Sequence, residues 1–511
     1  MSYAEFLARK AQHGADCGFD PEWMPDFLHP FQRALTEWAI RKGRGAVFAD
    51  CGLGKTPMQL VWAENVVRRT NRAVLILTPL AVASQTLAEA EKFGVEAHRS
   101  TGSIPRAGIY VANYERLHHF APADFGGVVC DESSILKHFA GATQKAVTRF
   151  MLKVPYRLLC TATAAPNDYI ELGTSSEALG ELGYSDMLSR FFRQDDKKPH
   201  RMEDVKQWRR AQEANRALIE RADNAGRNSG KHFARLAYRV SQTIGQWRLK
   251  GHAVTPFWRW VASWARACRK PSDLGFEDGA FALPSLIERE HIIEPLRPAA
   301  GMLFTLPAIG LKEEREERRR TLDERCGLVA TLVQGHDASA IWCHMNAEGI
   351  LLEKLVPYSI EVAGRHDEEY KEAAAEWFVG KRCVCGDERF RIGRGGGTCG
   401  HDGGPRRLIS KARVFGFGLN FQHCAHVATF ASHSYEQFYQ SVRRCWRFGQ
   451  QRPVTVDVIA TTGERHVREN MVRKAEAAGV MFDELVAHMA DAERIGTVRE
   501  AGNGIEVPEW A

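Results

Sequence analysis

Short apolar runs alternate with longer stretches of helical periodicity through residues 46–182. The runs that predict β-strands cover 73–79, 108–113, 127–130 and 156–161. Strands that alternate with helices in this way indicate a parallel sheet with helices on both faces. Ligands of such sheets bind at the carboxyl ends of the strands, so the chemistry of the chain is expected there.

The same alternation returns in the second half of the chain. Its predicted strands are 338–344, 357–362, 407–410, 427–430 and 454–459, and the charged stretch 311–332 predicts a helix on the surface. The predicted fold class is therefore α/β, with two lobes built on parallel sheets. The predicted units are an N-terminal adapter (1–30), a first lobe (31–184), a helical insertion (185–300), a second lobe (301–490) with a small Cys/His insertion at 381–405, and a C-terminal tail (491–511).

The insertion is basic and then rich in tryptophan. Residues 191–250 hold 15 Lys and Arg against 7 Asp and Glu, a net charge of +8 in a chain whose net charge is +6. This excess is typical of a protein that binds the phosphate backbone of nucleic acid, and equally of a solvated helical face. The aromatic residues of 247–264 can stack on bases, but their helical spacing favours a helix that faces a core.

Composition places the chain among ordinary globular proteins. It is 44% hydrophobic and 26% charged, without a membrane-length apolar run or a signal-peptide pattern at its start, so we expect a cytoplasmic location. Its 12 cysteines are then expected to be reduced thiols. Cys51, Cys130 and Cys160 fall within or beside the motifs below and are interpreted as packing residues in preference to catalytic thiols.

A small-residue loop at 48–56 predicts phosphate binding. Glycines let backbone N–H groups turn toward phosphate oxygens, a lysine reaches the β- and γ-phosphates, and a following hydroxyl ligates Mg²⁺. The residues concerned are Gly52, Leu53, Gly54, Lys55 and Thr56. Ala49 stands where the strict pattern has glycine, and the alternative is Gly-Lys-Thr in an ordinary turn.

Two adjacent carboxylates follow the predicted strand 127–130. A carboxylate at such a strand end can hold the Mg²⁺ ion, and its neighbour can orient the attacking water, which assigns these roles to Asp131 and Glu132. The alternative is a solvated acidic pair in a loop. Together with the loop at 48–56, the pair predicts a nucleoside triphosphatase.

The second lobe carries the string 439–450, which contains Arg444 and Arg447. Arginines three residues apart share one face of a helix. Two guanidinium groups brought to a phosphate bound by another lobe form an arginine-finger arrangement.

With these motifs the chain resembles superfamily-two helicase-like ATPases, in particular the Swi/Snf-type branch. More narrowly, 247–251, 271–275 and 443–449 look like the DEAD/DEAH-like helicases of phages and prophages. The resemblance implies two RecA-like lobes, ATP and Mg²⁺ as cofactors, and DNA, duplex or single-stranded, as partner. Phage or host replication and recombination proteins are further possible partners.

The resemblance also implies roles for single residues. Gln32 matches an adenine-reading glutamine, and Gln440 belongs to the catalytic motif of the two arginines. Thr78, Asn113 and Asn420 match positions that contact the nucleic-acid backbone. The chain departs from the pattern at Ser133-Ser134, where many relatives have a histidine, and at Arg443, where Swi/Snf-type proteins commonly have aspartate.

A further cluster suggests a metal. Three thiols and an imidazole could form a tetrahedral zinc site, and the candidate ligands are Cys383, Cys385, Cys399 and His401. The alternative is a disordered loop with free thiols.

The function that these features predict is an ATP-dependent DNA helicase or translocase. The alternative is an ATP-switched nucleic-acid-binding protein without processive movement. Whether duplex DNA is unwound or only tracked stays open at this point.

Overall fold

The computed structural model describes residues 16–79, 82–137, 141–165, 168–195, 246–295, 311–390, 404–415 and 420–499. Two parallel sheets, of seven and six strands, form the centres of two lobes, which confirms the predicted α/β class. No helix in the described ranges combines the length and apolar character needed to cross a membrane.

The sheet of the first lobe has the strand order β3-β4-β2-β5-β6-β1-β9, and all its pairs are parallel. Its strands are β1 (Arg44–Ala49), β2 (Ala73–Thr78), β3 (Ala97–Arg99), β4 (Ile109–Asn113), β5 (Phe125–Asp131), β6 (Tyr156–Cys160) and β9 (Ala265–Cys268). Its helices are α1 (Pro30–Lys42), α2 (Lys55–Thr70), α3 (Ala83–Lys92), α4 (Ala142–Met151), α5 (Leu172–Leu179), α6 (Tyr184–Phe191) and α7 (Val254–Trp264).

The strands of this sheet are apolar throughout because both faces are covered. Successive residues of β1 illustrate the period of two: Ala46 and Phe48 belong to the core on one face, and Val47 and Ala49 to the core on the other. The predicted strands 73–79, 108–113, 127–130 and 156–161 each correspond to a strand of this sheet.

The second lobe has the order β10-β15-β14-β11-β13-β12, again with parallel pairs only. Its strands are β10 (Leu286–Ile293), β11 (Ala338–Cys343), β12 (Ser359–Val362), β13 (Arg406–Lys411), β14 (His426–Phe430) and β15 (Val454–Thr461). Its helices are α8 (Leu311–Arg320), α9 (Leu322–Leu332), α10 (Asn346–Leu355), α11 (Glu368–Phe378), α12 (Ala412–Phe415), α13 (Tyr435–Val442) and α14 (Arg465–Arg499).

The predicted surface helix 311–332 is two helices and is partly buried. The Arg325 guanidinium lies 2.7 Å from Glu348 Oε1, and both side chains are fully buried. A count of charges indicates a solvated face, but it cannot reveal that a charge has a buried partner.

Residues 185–300 supply elements to both lobes. The strands β7 (Phe192–Asp195) and β8 (Gln246–Leu249) pair as a two-stranded antiparallel sheet, β9 extends the first sheet and β10 extends the second. The segment therefore contains more than the predicted helical insertion. The preferred core interpretation of the tryptophan-rich stretch is confirmed, since Phe257, Trp260 and Trp264 of α7 are fully buried in the first core. The basic residues 196–245 lie outside the described residues.

Helix α14 connects the two lobes. It begins beside the second sheet, directly after β15. Further along, Met481, Phe482, Leu485 and Met489 are buried in the core of the first lobe. A displacement of one lobe against the other therefore has to move or bend this helix.

Candidate nucleotide site between the lobes

The loop at 48–56 has the backbone that phosphate binding requires. It follows β1, and α2 begins at Lys55. Gly52 and Gly54 adopt positive φ angles of 89° and 74°. A Cβ atom on Gly54 would lie 2.2 Å from Gln32 Nε2, and one on Gly52 would lie 3.0 Å from the Phe448 backbone nitrogen. Both positions therefore need glycine for conformation and for space.

Gln32 is hydrogen-bonded to this loop. Its Nε2 atom donates to the Leu53 carbonyl at 2.9 Å, and its Oε1 atom accepts from the His29 backbone N–H at 3.0 Å. The side chain is buried next to the loop, and the adenine-reading role stays a prediction.

Lys55 lies inside the loop. Its Nζ atom donates to the carbonyl oxygens of Ala49 and Asp50 at 2.9 and 3.3 Å. Backbone carbonyls hold the ammonium group at the start of α2, a helix end that also favours anions. Thr56 follows and is half-buried.

The carboxylates end β5 at the same edge of the sheet. Asp131 is buried, and its Oδ1 atom accepts from Gln59 Nε2 at 2.7 Å. Burial and then the charge of Glu132 raise the pKa of Asp131 to about 6, while Gln59 and the Lys55 charge act in the opposite direction. The loop lysine and this carboxylate are therefore close enough to interact electrostatically.

Glu132 is the site's strained residue. It has a φ of 50°, a left-handed conformation that is uncommon for a residue with a side chain. Thr161 Oγ1, at the end of the neighbouring strand β6, approaches Glu132 Oε2 to 3.5 Å and accepts from the Thr163 N–H at 3.1 Å. Thr161 and Thr163 thus link the Glu132 carboxylate to the edge of the first sheet at which β6 ends.

Arg444 and Arg447 face this edge from the second lobe. The helix α13 ends at Val442, so a turn, and not the predicted helix face, presents the two arginines. Burial lowers the pKa of Arg444, and the nearby acidic groups of Cys51, Glu132 and Asp131 oppose that shift. Burial and the neighbouring Arg444 lower the pKa of Arg447 to about 10. Both guanidinium groups therefore lie near the phosphate loop, and Arg444 also lies near the two carboxylates.

The sequence reasoning missed a second contact between the lobes. Arg443 Nη2 lies 2.8 Å from Asp50 Oδ2 and donates to the Cys51 carbonyl at 2.6 Å. The Tyr439 hydroxyl donates to the other oxygen of Asp50. The sequence did contain a hint of this contact, because Arg443 stands where related proteins have aspartate. A buried cation at that position needs a carboxylate partner.

The residues present fit a magnesium–nucleotide ligand. Asp131 and Thr56 offer the hard oxygen ligands that Mg²⁺ prefers. Gln440 is buried at 2% exposure, and among the described residues neither its Oε1 nor its Nε2 atom has a hydrogen-bond partner. An amide buried in this way carries a desolvation cost.

The predicted nucleic-acid contacts differ in accessibility. Thr78 and Asn113 are register partners at the ends of β2 and β4, and both are buried. Within the described part of the chain, neither side-chain oxygen has a hydrogen-bond partner. Asn420 is exposed. Their contact with phosphates stays a prediction.

The cysteines also differ in how far they are exposed. Cys130 and Cys160 are buried, and burial raises the pKa of Cys130 to about 12, which suits packing and not nucleophilic catalysis. Cys383 and Cys385 are exposed, and the Cys385 N–H donates to Cys383 Sγ at 3.4 Å. Cys399 and His401 lie outside the described residues, so zinc binding by these four stays a prediction.

Comparison with known proteins adds a likeness of structure. The chain matches no protein-family profile and no curated protein sequence. It is similar to the SWI2/SNF2 ATPase core of Sulfolobus solfataricus in complex with dsDNA, with a TM-score of 0.35 and 15% identity over 92% of this chain and 95% of that chain. What the site does is therefore inferred from its own geometry. The likeness to phage and prophage helicases stays a prediction.

Proposed function

We propose that the chain is a nucleic-acid-dependent ATPase that moves along DNA. One observation carries the proposal: the 2.8 Å contact of Arg443 with Asp50 holds the adjacent Arg444 of the second lobe at the phosphate loop of the first, near Asp131 and Glu132. An arginine that is supplied across a cleft to a phosphate loop and a carboxylate pair is the arrangement that phosphoryl transfer uses.

Each group of residues has its own role in the proposed reaction. Lys55 and the loop backbone hold the β- and γ-phosphates, and Asp131 and Thr56 provide the ligands for Mg²⁺. Bound magnesium neutralises charge on those phosphates. Glu132 orients the attacking water and accepts its proton. Arg444 and Arg447 stabilise the charge that develops on the transferred phosphoryl group.

Lobe movement would follow from this division. Each lobe contributes part of the site, so the presence of the γ-phosphate favours the closed arrangement and its loss favours opening. Lys137 of the first lobe and Glu436 of the second also form an ion pair across the cleft. Lys137 lies shortly after Glu132 along the chain, so the pair can communicate the state of the site to the second lobe.

DNA is the proposed track because of the resemblance of the motifs to superfamily-two enzymes. Contacts that involve the backbone carry little sequence information, so binding is expected to tolerate sequence and to weaken steeply with salt. Thr78, Asn113 and Asn420 are the proposed contacts.

Two displacement assays test movement. Removal of a triplex-forming strand reports tracking on duplex DNA, and removal of a paired strand reports unwinding. The proposal expects ATP-dependent triplex displacement that is absent in Glu132→Gln. ATP-dependent DNA binding with neither displacement would instead identify an ATP-switched clamp.

A deletion tests the basic segment. Removing 196–240 is expected to weaken duplex binding and reduce its salt dependence while the basal ATPase rate survives. Equal loss of basal and DNA-stimulated ATPase would make the segment a structural part of the lobe and remove its proposed DNA role.

A further inference from the structure

We propose that the second lobe holds a divalent transition-metal ion on Glu314, His433 and His466. This site is separate from the nucleotide cleft and from the cysteine cluster at 383–401. It combines two imidazoles and one carboxylate, a donor set that suits Zn²⁺ and related ions better than Mg²⁺ or Ca²⁺, which favour all-oxygen ligands.

Three separate elements bring these side chains together. Glu314 lies on α8, His433 follows β14 and His466 begins α14. Glu314 Oε2 is 2.9 Å from His433 Nε2, and Glu314 Oε1 is 3.1 Å from His466 Nε2. The three ligand atoms lie within 4.8 Å of one another. Ligands of a tetrahedral zinc ion with bonds of about 2.1 Å are roughly 3.3 Å apart, so small side-chain rotations complete the geometry.

The carboxylate has the charge that a cation needs. The Glu314 side chain is only 5% exposed, and the two histidines are its ion-pair partners within the described ranges. Each carboxylate oxygen is hydrogen-bonded to one imidazole, Oε2 to His433 Nε2 at 2.9 Å and Oε1 to His466 Nε2 at 3.1 Å. An ion bound between the three side chains would replace the protons of these two hydrogen bonds, because a ring nitrogen coordinates a metal through its lone pair.

Access and support are also present. The side chains of His433 and His466 are 36% and 39% exposed, so an ion can enter and a water molecule can fill a fourth position. The backbone carbonyl of His433 accepts from Lys474 Nζ at 2.8 Å, which ties the histidine loop to the next turns of α14.

The proposed metal site lies at the beginning of α14, the helix that connects the two lobes. An ion held here fastens the beginning of α14 to the second lobe. Because the later part of the same helix is buried in the first lobe, the ion would stabilise the root of the element that connects the two lobes.

The test uses the full chain with Cys383→Ser and Cys385→Ser, so that the cysteine cluster does not contribute. After chelator treatment, titration with Zn²⁺ by calorimetry is expected to give one equivalent. Co²⁺ should give visible absorption without a thiolate charge-transfer band, since the ligands are nitrogen and oxygen. Zinc should also raise the melting temperature.

Variants assign the ligands. Glu314→Gln, which keeps the size of the side chain, and His433→Ala should each weaken zinc binding by more than about tenfold. The matched control is His98→Ala, which removes a half-buried histidine that also pairs with a glutamate, Glu96, but lies in the first lobe away from the proposed site, and it should leave binding unchanged. The proposal is overturned if the protein with Cys383→Ser and Cys385→Ser binds no zinc, or if folded Glu314→Gln protein binds zinc as before.

Discussion

Arg443 of the second lobe and Asp50 of the first form a buried ion pair, with 2.8 Å between Nη2 and Oδ2. Asp50 lies in the phosphate loop, directly after β1, and Arg443 directly precedes the first of the two finger arginines. The pair therefore fixes the distance between the two halves of the candidate site before any nucleotide is considered.

Removing either charge should open the cleft. Arg443→Gln and Asp50→Asn each leave a buried charge without its partner, which in protein interiors costs about 3 to 5 kcal/mol, and lobe separation relieves this cost by admitting water. We expect a larger radius of gyration in small-angle scattering and a lower ATPase rate. The exposed Arg413→Gln is the control, and the double variant should recover part of the loss. Unchanged scattering in both single variants would contradict this interpretation.

Lys55→Ala and Glu132→Gln should abolish turnover by different routes. The first removes the phosphate contact, so both nucleotide binding and hydrolysis should fail. The second keeps the loop and Asp131, so it should bind Mg-ATP but not activate water. Equilibrium binding of a fluorescent ATP analogue together with phosphate release separates the two. A Glu132→Gln protein that hydrolyses ATP at nearly the wild-type rate shows that Glu132 is not the base.

Arg444→Ala and Arg447→Ala should lower kcat by about 10³ or more while nucleotide affinity changes little. Both groups come from the opposite lobe, and their contribution is expected in the transition state and not in the bound ground state. Steady-state kinetics with a separate binding titration checks this. A loss confined to KM would make them ground-state binding residues.

The raised pKa of Asp131 predicts a link between pH and stability. Its value of about 6 in the folded chain exceeds the ordinary 3.8, so the unfolded chain loses this proton first. Stability from burying the neutral acid is present below pH 4, falls as pH rises toward 6 and stays lost above it. Asp131→Asn should therefore stabilise the nucleotide-free protein at pH 7.5, by about 1 to 3 kcal/mol, and not at pH 4. Denaturant unfolding at the two pH values measures this, and equal effects would contradict it.

Much of the fold follows from local pattern. Buried parallel strands such as β2 and β5 are continuous apolar runs, and turn residues mark their ends. The strand β9 was not predicted, because its position beside β1 depends on a chain segment that returns from far along the sequence. Its four residues carry no periodicity that separates them from the preceding helix.

Part of the candidate site also follows from local sequence, and part depends on contacts between distant segments. Lys55, Asp131 and Glu132 belong to motifs whose spacing reflects local chemistry, and the structure places them at one edge of the sheet. The contact between Arg443 and Asp50 joins residues almost 400 positions apart, and no local pattern predicts it. The conformation of Glu132 is likewise imposed by the surrounding fold and not by its neighbours in sequence.

The most direct test of the account is the ATPase rate of the full chain without polymer and with single-stranded DNA, duplex DNA or RNA, with Lys55→Ala measured in parallel. The account predicts a low basal rate, clear stimulation by DNA that includes duplex DNA, and no activity in Lys55→Ala under any condition. A rate that no nucleic acid changes, or activity that survives in Lys55→Ala, would contradict it.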